Sequence, residues 1–229
     1  MTKENYTLVG VVIDRSGSMS SLVSDTIGGF NSLLKEQKNE PGQASVSLCL
    51  FSTDYKLTHY DDINQVEELN EISYRPGGGT ALLDALGTTI DEIGVRLAAK
   101  NEEDRPSKVI IIVITDGQEN SSRKYSKNKI KEMISHQEEK YNWSFTFIGA
   151  NMDAVSAGDS IGFSANNSYN YSASAGGTQK VYATMNNSLK RARVMGSGMK
   201  SNESLFTPEE AQSLLDSDKK VKDNAENKS

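Results

Sequence analysis

Apolar positions fall into two repeating patterns along the chain. Tyr6 to Ile13, Ala44 to Phe51, Val109 to Ile114 and Trp143 to Ile148 are short, mostly apolar runs, the signature of strands buried on both faces. Between them lie longer stretches with helical spacing: Leu22 to Gln37, Leu82 to Leu97, and Lys127 to Tyr141. Tyr55 to Tyr60 alternates apolar and polar positions and reads as an edge strand after a tight turn at Ser52-Thr53-Asp54. Met152 to Ile161 predicts a short helix, Tyr169 to Tyr171 a short strand, and Thr178 to Arg193 a final amphipathic helix. Strands alternating with helices predict an α/β fold with a mostly parallel sheet and helices on both faces.

From Met195 onward the pattern dissolves into Gly, Ser and Lys, with one amphipathic piece from Pro208 to Leu215 that Thr207 is placed to cap. The sequence therefore predicts a domain over residues 1–197 and a polar, mobile or loosely docked tail over 198–229, in which Glu209, Glu210, Asp216 and Asp218 surround Leu214 and Leu215. Such a tail can dock on its own domain or on a neighbour, and self-association through it is a further expectation.

Parallel α/β sheets bind ligands beyond the carboxyl ends of their strands, and three segments there carry unusual residues. The first strand stops at Asp14-Arg15-Ser16-Gly17-Ser18. Arg75-Pro76-Gly77-Gly78-Gly79-Thr80 opens the helix that follows. Val109–Ile114 runs into Thr115-Asp116-Gly117. Taken alone, the first segment is equally an N-terminal helix cap. Together the three supply two carboxylates and three hydroxyls from Asp14, Asp116, Ser16, Ser18 and Thr80. Oxygen donors without thiol or imidazole suit Mg²⁺, with Mn²⁺ or Ca²⁺ as alternatives, rather than zinc. Mg²⁺ keeps waters in its shell, so a position remains for an outside ligand, and a carboxylate is the simplest. The glycines 77 to 79 predict close backbone approach beside the ion. Arg15, Arg75, Arg123, Lys124 and Lys127 lie near these segments and favour acidic ligands as a group.

These three segments, in this order, resemble the metal-ion-dependent adhesion site of von Willebrand factor type A domains, and the order of strands and helices resembles that family from Tyr6 to about Arg193. The resemblance implies a Rossmann-like, doubly wound sheet whose antiparallel edge strand is Tyr55–Tyr60. It also implies a metal held by Asp14, Ser16, Ser18, Thr80 and Asp116, and a protein partner whose Asp or Glu completes the metal's coordination. The short form resembles stand-alone members from bacteria and phages.

Composition narrows the alternatives. A net charge of −6 over 229 residues argues against a dedicated nucleic-acid binder. No apolar stretch is long enough to span a bilayer and no signal peptide is recognisable, so the expected location is the cytoplasm, away from membranes. The single cysteine, Cys49, sits in an apolar run and reads as a small buried hydrophobe. A calcium loop starting at Asp14 has Met19 where Gly is required. A phosphatase of the haloacid dehalogenase type has its second acid where this chain has Ser16. P-loop and dinucleotide fingerprints are absent. A metal-assisted phosphoester hydrolase is the alternative, but it needs a base. His59 and His136 are expected to be exposed and remote, which leaves Glu119, and the reading is that this is not an enzyme.

Overall fold

The computed structural model describes residues 2–215. A six-stranded sheet has the order β3-β2-β1-β4-β5-β6, built from β1 (Lys3–Asp14), β2 (Gln43–Phe51), β3 (Tyr55–Tyr60), β4 (Pro106–Thr115), β5 (Ser144–Ala150) and β6 (Ser168–Tyr171). All neighbours are parallel except β3, which runs antiparallel to β2 from Val46 opposite Tyr60 to Phe51 opposite Tyr55. This is the expected doubly wound α/β fold with one antiparallel edge strand.

Side chains alternate across the two sheet faces, so the apolar central strands feed two cores. Val9, Val11 and Ile13 of β1, with Ile110, Ile112 and Ile114 of β4, pack under α1 (Val23–Lys38) and α5 (Ala175–Met195). Leu8 and Val12, with Val109, Ile111 and Val113, pack under α2 (Leu82–Ala98), α3 (Lys127–Tyr141) and α4 (Ala154–Ile161). That is why the central strands read as unbroken apolar runs: both faces are covered.

The expected elements are all found, most within a few residues of their predicted ends. The clearest difference lies before α1, where Gly17–Leu22 forms a 3-10 helix with Met19 and Leu22 buried. Its serines hide the apolar spacing that would have marked it, and Ser20 donates to the carbonyl of Gly17.

The tail needs correction. Residues 199–215 are neither loose nor separate from the domain that was expected to end at residue 197. Met199, Leu205, Phe206 and Leu214 are buried in the core under α1 and α5. Phe206 stacks on Tyr169 with ring centroids 4.5 Å apart. The backbone is tied down as well. Lys108 and Asn142 both donate to the carbonyl of Met199 (2.8 and 2.9 Å). Asn167 Oδ1 accepts from the amide of Leu205, and its Nδ2 donates to the carbonyl of Glu203. Thr207 and Glu210 form a reciprocal capping box at the start of a helix over residues 208–215. Sparse apolar residues hid the firmness of this docking: four side chains suffice when β6 and α5 leave them a place to go. Asp216 and Asp218 lie outside the described residues.

Candidate metal centre

The three segments are stitched together by backbone hydrogen bonds at the carboxyl ends of β1 and β4. The amide of Gly17 donates to the carbonyl of Gly78, and that of Gly77 to the carbonyl of Arg15. The amide of Asn120 donates to the carbonyl of Thr80, while Thr80's own amide donates to Asn120 Oδ1. Glycine serves this stitching. Gly78 has φ +76°, and a Cβ there would come within 2.6 Å of Thr53 Oγ1. A Cβ on Gly79 would meet Ser121 Oγ at 2.2 Å. Gly78 and Gly79 therefore let loop pack against loop beside the donors.

The structure brings together all five of the expected donors. Asp14 is fully buried, with Oδ1 accepting from the amide of Ser16 (2.7 Å) and Oδ2 from Thr115 Oγ1 (2.6 Å). Ser16 Oγ and Ser18 Oγ are 3.0 Å apart, and Ser18 Oγ donates to Asp116 Oδ1 at 2.6 Å. Thr80 and Gly117 complete the circle. A Cβ built on Gly117 would stand 3.0 Å from Thr80 Oγ1, 3.5 Å from Ser18 Oγ and 3.7 Å from Asp14 Oδ2. Only the missing side chain keeps that space clear. Ser16 and Thr80 are buried and Ser18 is exposed, so the cluster opens to solvent on one side.

Burial pushes the carboxyl group of Asp14 above its ordinary range, and the neighbouring Asp116 adds to this, against the hydrogen bonds from Thr115 and Ser16. Burial likewise raises Asp116, opposed by the Ser18 hydroxyl. Neither acid has a cationic side chain within ion-pair reach among the described residues. Two buried acids side by side without a cation are electrostatically incomplete. Divalent-cation chemistry fits both the donor types and the clear space in front of Gly117. Among the described residues no group of three or more His, Cys, Asp or Glu side chains is placed to hold a metal, and this cluster has two carboxylates supplemented by hydroxyls.

Several supporting residues escaped the sequence reading. Thr115 orients Asp14 and also accepts from the amide of Gly117. Tyr74, from an irregular segment, donates to the carbonyl of Asp14 at 2.7 Å. Glu119 Oε1 accepts from the amides of Ser121 and Ser122, and its Oε2 from the amide of Leu83 and the Ser122 hydroxyl. Asp84 answers by accepting from the amides of Arg123, Lys124 and Tyr125. A residue committed to four hydrogen bonds is poorly placed to act as a base.

His59 is not exposed as expected. It bridges Ser47 Oγ (2.8 Å) and Glu92 Oε2 (3.1 Å). The order Ser-His-Glu imitates a hydrolytic triad, but Ser47 is 2% exposed and the adjoining cavity is only about 10 Å³. His136 is exposed, on α3. Of the basic rim, Arg15 is paired with Asp54 at 2.6 Å, while Arg75, Arg123, Lys124 and Lys127 are exposed.

A mostly parallel sheet with an antiparallel edge and an oxygen cluster at its carboxyl end defines the class of doubly wound domains that bind at that edge. The sequence profile of the von Willebrand factor type A domain matches residues 9–201, and the chain belongs to that family. Solved structures agree on the fold. The pilus adhesin SpaC of Lactobacillus rhamnosus GG, in its open conformation, superposes with TM-score 0.58 at 12% identity, covering 84% of this chain and 30% of that one. A D319A mutant of the minor pilin PilB of Streptococcus sanguinis gives 0.56 at 15%, covering 84% and 63%. Proximal thread matrix protein 1 from the mussel byssus, with zinc occupying its MIDAS motif, gives 0.53 at 17%, covering 82% and 46%. The chain thus spans between about a third and two thirds of the length of these structures. No curated protein sequence matches it. Among the described residues no helix is long and apolar enough to cross a membrane.

Proposed function

We propose that the protein is a divalent-metal-dependent protein-binding module in which an acidic residue of the partner completes the coordination of an ion held by Asp14, Ser16, Ser18, Thr80 and Asp116. One observation carries this reading: three hydroxyls and two carboxylates from three separate segments converge, with Thr80, Ser18 and Asp14 around the clear space in front of Gly117 and Ser16 and Asp116 hydrogen-bonded to Ser18. Two carboxylates balance a divalent charge without filling six positions, and Mg²⁺ is the best match to so compact an oxygen set. The ion supplies Lewis acidity toward an incoming carboxylate. The protein supplies orientation, through Thr115 and Tyr74, and a locally positive rim through Arg75, Arg123 and Lys124. Membership of the family and the zinc-bound MIDAS of the mussel protein support metal binding here. No catalytic role is assigned, because Glu119 and His59 are both consumed by structural hydrogen bonds.

The test is capture of partner proteins on the immobilised chain in Mg²⁺ and in EDTA, followed by Asp→Asn and Glu→Gln scanning of whatever elutes with chelator. The reading expects retention that needs both the metal and a single acid of the partner. A partner held equally well in EDTA overturns it.

A further inference from the structure

A cavity of about 320 Å³ adjoins the metal centre, and Gly117 lines it. Gly117 is the residue whose missing Cβ leaves the donors clear, so the cavity and the donors share a wall. Its floor is apolar, from Leu82, Phe147 and Ile161, and Met152 and Ala157 wall it from the β5–α4 side. At its mouth Gln118 and Lys127 are exposed, and among the described residues Lys127 makes no ion pair. The acidic groups on its wall are engaged elsewhere. Glu119 holds backbone amides, and Asp153 caps α4 by accepting from the amide and hydroxyl of Ser156.

We infer that this cavity is the specificity pocket of the metal site, and that it receives one apolar side chain of leucine or methionine size adjacent in sequence to the partner's metal-binding acid. The inference rests on the proposed metal-and-carboxylate reading. Its occupant follows from three features. The cavity has the volume of roughly ten waters, far more than a bridging solvent needs. Its floor offers carbon, so ordered water gains little there and an apolar group gains much. It begins one residue away from the donors, and consecutive Cα atoms are about 3.8 Å apart, so a neighbour of the bound acid reaches it without a loop. Lys127 at the mouth is placed to meet the carbonyl oxygens of the same peptide. A bare carboxylate would then bind weakly and without discrimination, and selectivity would come from the pocket.

The test titrates three peptides into the Mg²⁺-loaded full chain: acetyl-Asp-Gly-amide, acetyl-Asp-Leu-amide and acetyl-Leu-Asp-amide. NMR follows the amides of Thr80 and Gly117 for the metal site and the methyl groups of Leu82 and Ile161 for the pocket. All three peptides should shift the metal-site amides. At least one leucine peptide should bind fivefold or more tightly than the glycine peptide, shift the pocket methyls, and lose its advantage in Ala157→Leu, which fills the cavity. Ser160→Met, also on the cavity wall, serves as a second filling variant, and unchanged Mg²⁺ affinity certifies both. Equal affinities for the three peptides, or a preference that survives both variants, overturn the pocket while leaving the metal site standing. If no peptide moves the Thr80 and Gly117 amides, the carboxylate reading itself fails and the pocket fails with it.

Discussion

Asp14→Asn separates folding from metal binding. The side chain is buried and accepts two hydrogen bonds, from the amide of Ser16 and from Thr115 Oγ1. An asparagine keeps the first through its carbonyl oxygen. Its Nδ2 then donates to Thr115 Oγ1, whose own hydrogen can turn to the carbonyl of Gly117, 3.1 Å away. One of the two Nδ2 hydrogens is partnered in this way, and the other faces the donor cluster. The cost is the difference between charge-assisted and neutral hydrogen bonds, about 1 kcal/mol each. Against it stands the direction of the Asp14 pKa: because burial and Asp116 raise it, the folded protein already disfavours the ionised form. The metal-free variant should therefore melt within a few degrees of the wild type. With Mg²⁺ the two separate. At a hundred times its Kd a ligand stabilises by about 2.7 kcal/mol. For a chain of this size each kcal/mol moves Tm by about 2–4 °C, so the wild type should gain about 5–11 °C and the variant almost nothing. Circular dichroism melts in EDTA and in saturating MgCl₂ read both quantities. A variant that melts far below wild type in EDTA, or gains as much from Mg²⁺, refutes the reasoning.

Other expectations concern neighbouring features. Gly117→Ala should retain the fold, since its φ is not in the left-handed region, yet weaken Mg²⁺ binding at least tenfold by calorimetry, because the methyl would stand 3.0 Å from Thr80 Oγ1. Acid should erode Mg²⁺ stabilisation, with the apparent Mg²⁺ affinity beginning to fall at a higher pH than ordinary carboxylates would give. Asp14 and Asp116 have raised pKa values and must lose their protons to bind, so melts recorded across pH should show the Mg²⁺ gain growing as pH rises. Phe206→Ala should cost about 3–5 kcal/mol in chemical denaturation, because the ring is 2% exposed and stacked on Tyr169. Burial pushes Lys108 down to about 8, below its unfolded value, so the unfolded chain binds more protons between there and about pH 10.4. Stability relative to Lys108→Met should therefore rise by about 3 kcal/mol across that window in denaturant titrations.

The sheet and its edge strand were legible because each is a local pattern, and the convergence of the five oxygen-bearing residues was legible because three such segments occur in order at element ends. Apolar runs mark doubly covered strands, and oxygen-bearing residues stand at strand or helix ends. What stayed hidden depends on contacts between distant positions. Thr115 looked like the end of a strand, yet its hydroxyl fixes a carboxylate 101 positions away. Tyr74 lies in a segment without periodicity and reaches Asp14 across 60 positions. Glu119 looked like a free acid near the site until its four donors were in place. Docking on its own domain and the Thr207 cap were among the expectations for the tail, but the firmness of the docking at 199–215 was not, for a related reason. The segment's few apolar residues acquire meaning only beside the faces of β6 and α5 that they cover, and neither face is visible in the segment itself.

The central claim, that the five side chains hold a divalent ion, is tested most directly by anomalous diffraction from crystals soaked in Mn²⁺, which scatters where Mg²⁺ would sit. The account predicts one strong peak in front of Gly117, within coordination distance of oxygens from Asp14, Ser16, Ser18, Thr80 and Asp116, directly or through one water. A peak elsewhere, or none at saturating Mn²⁺, contradicts it.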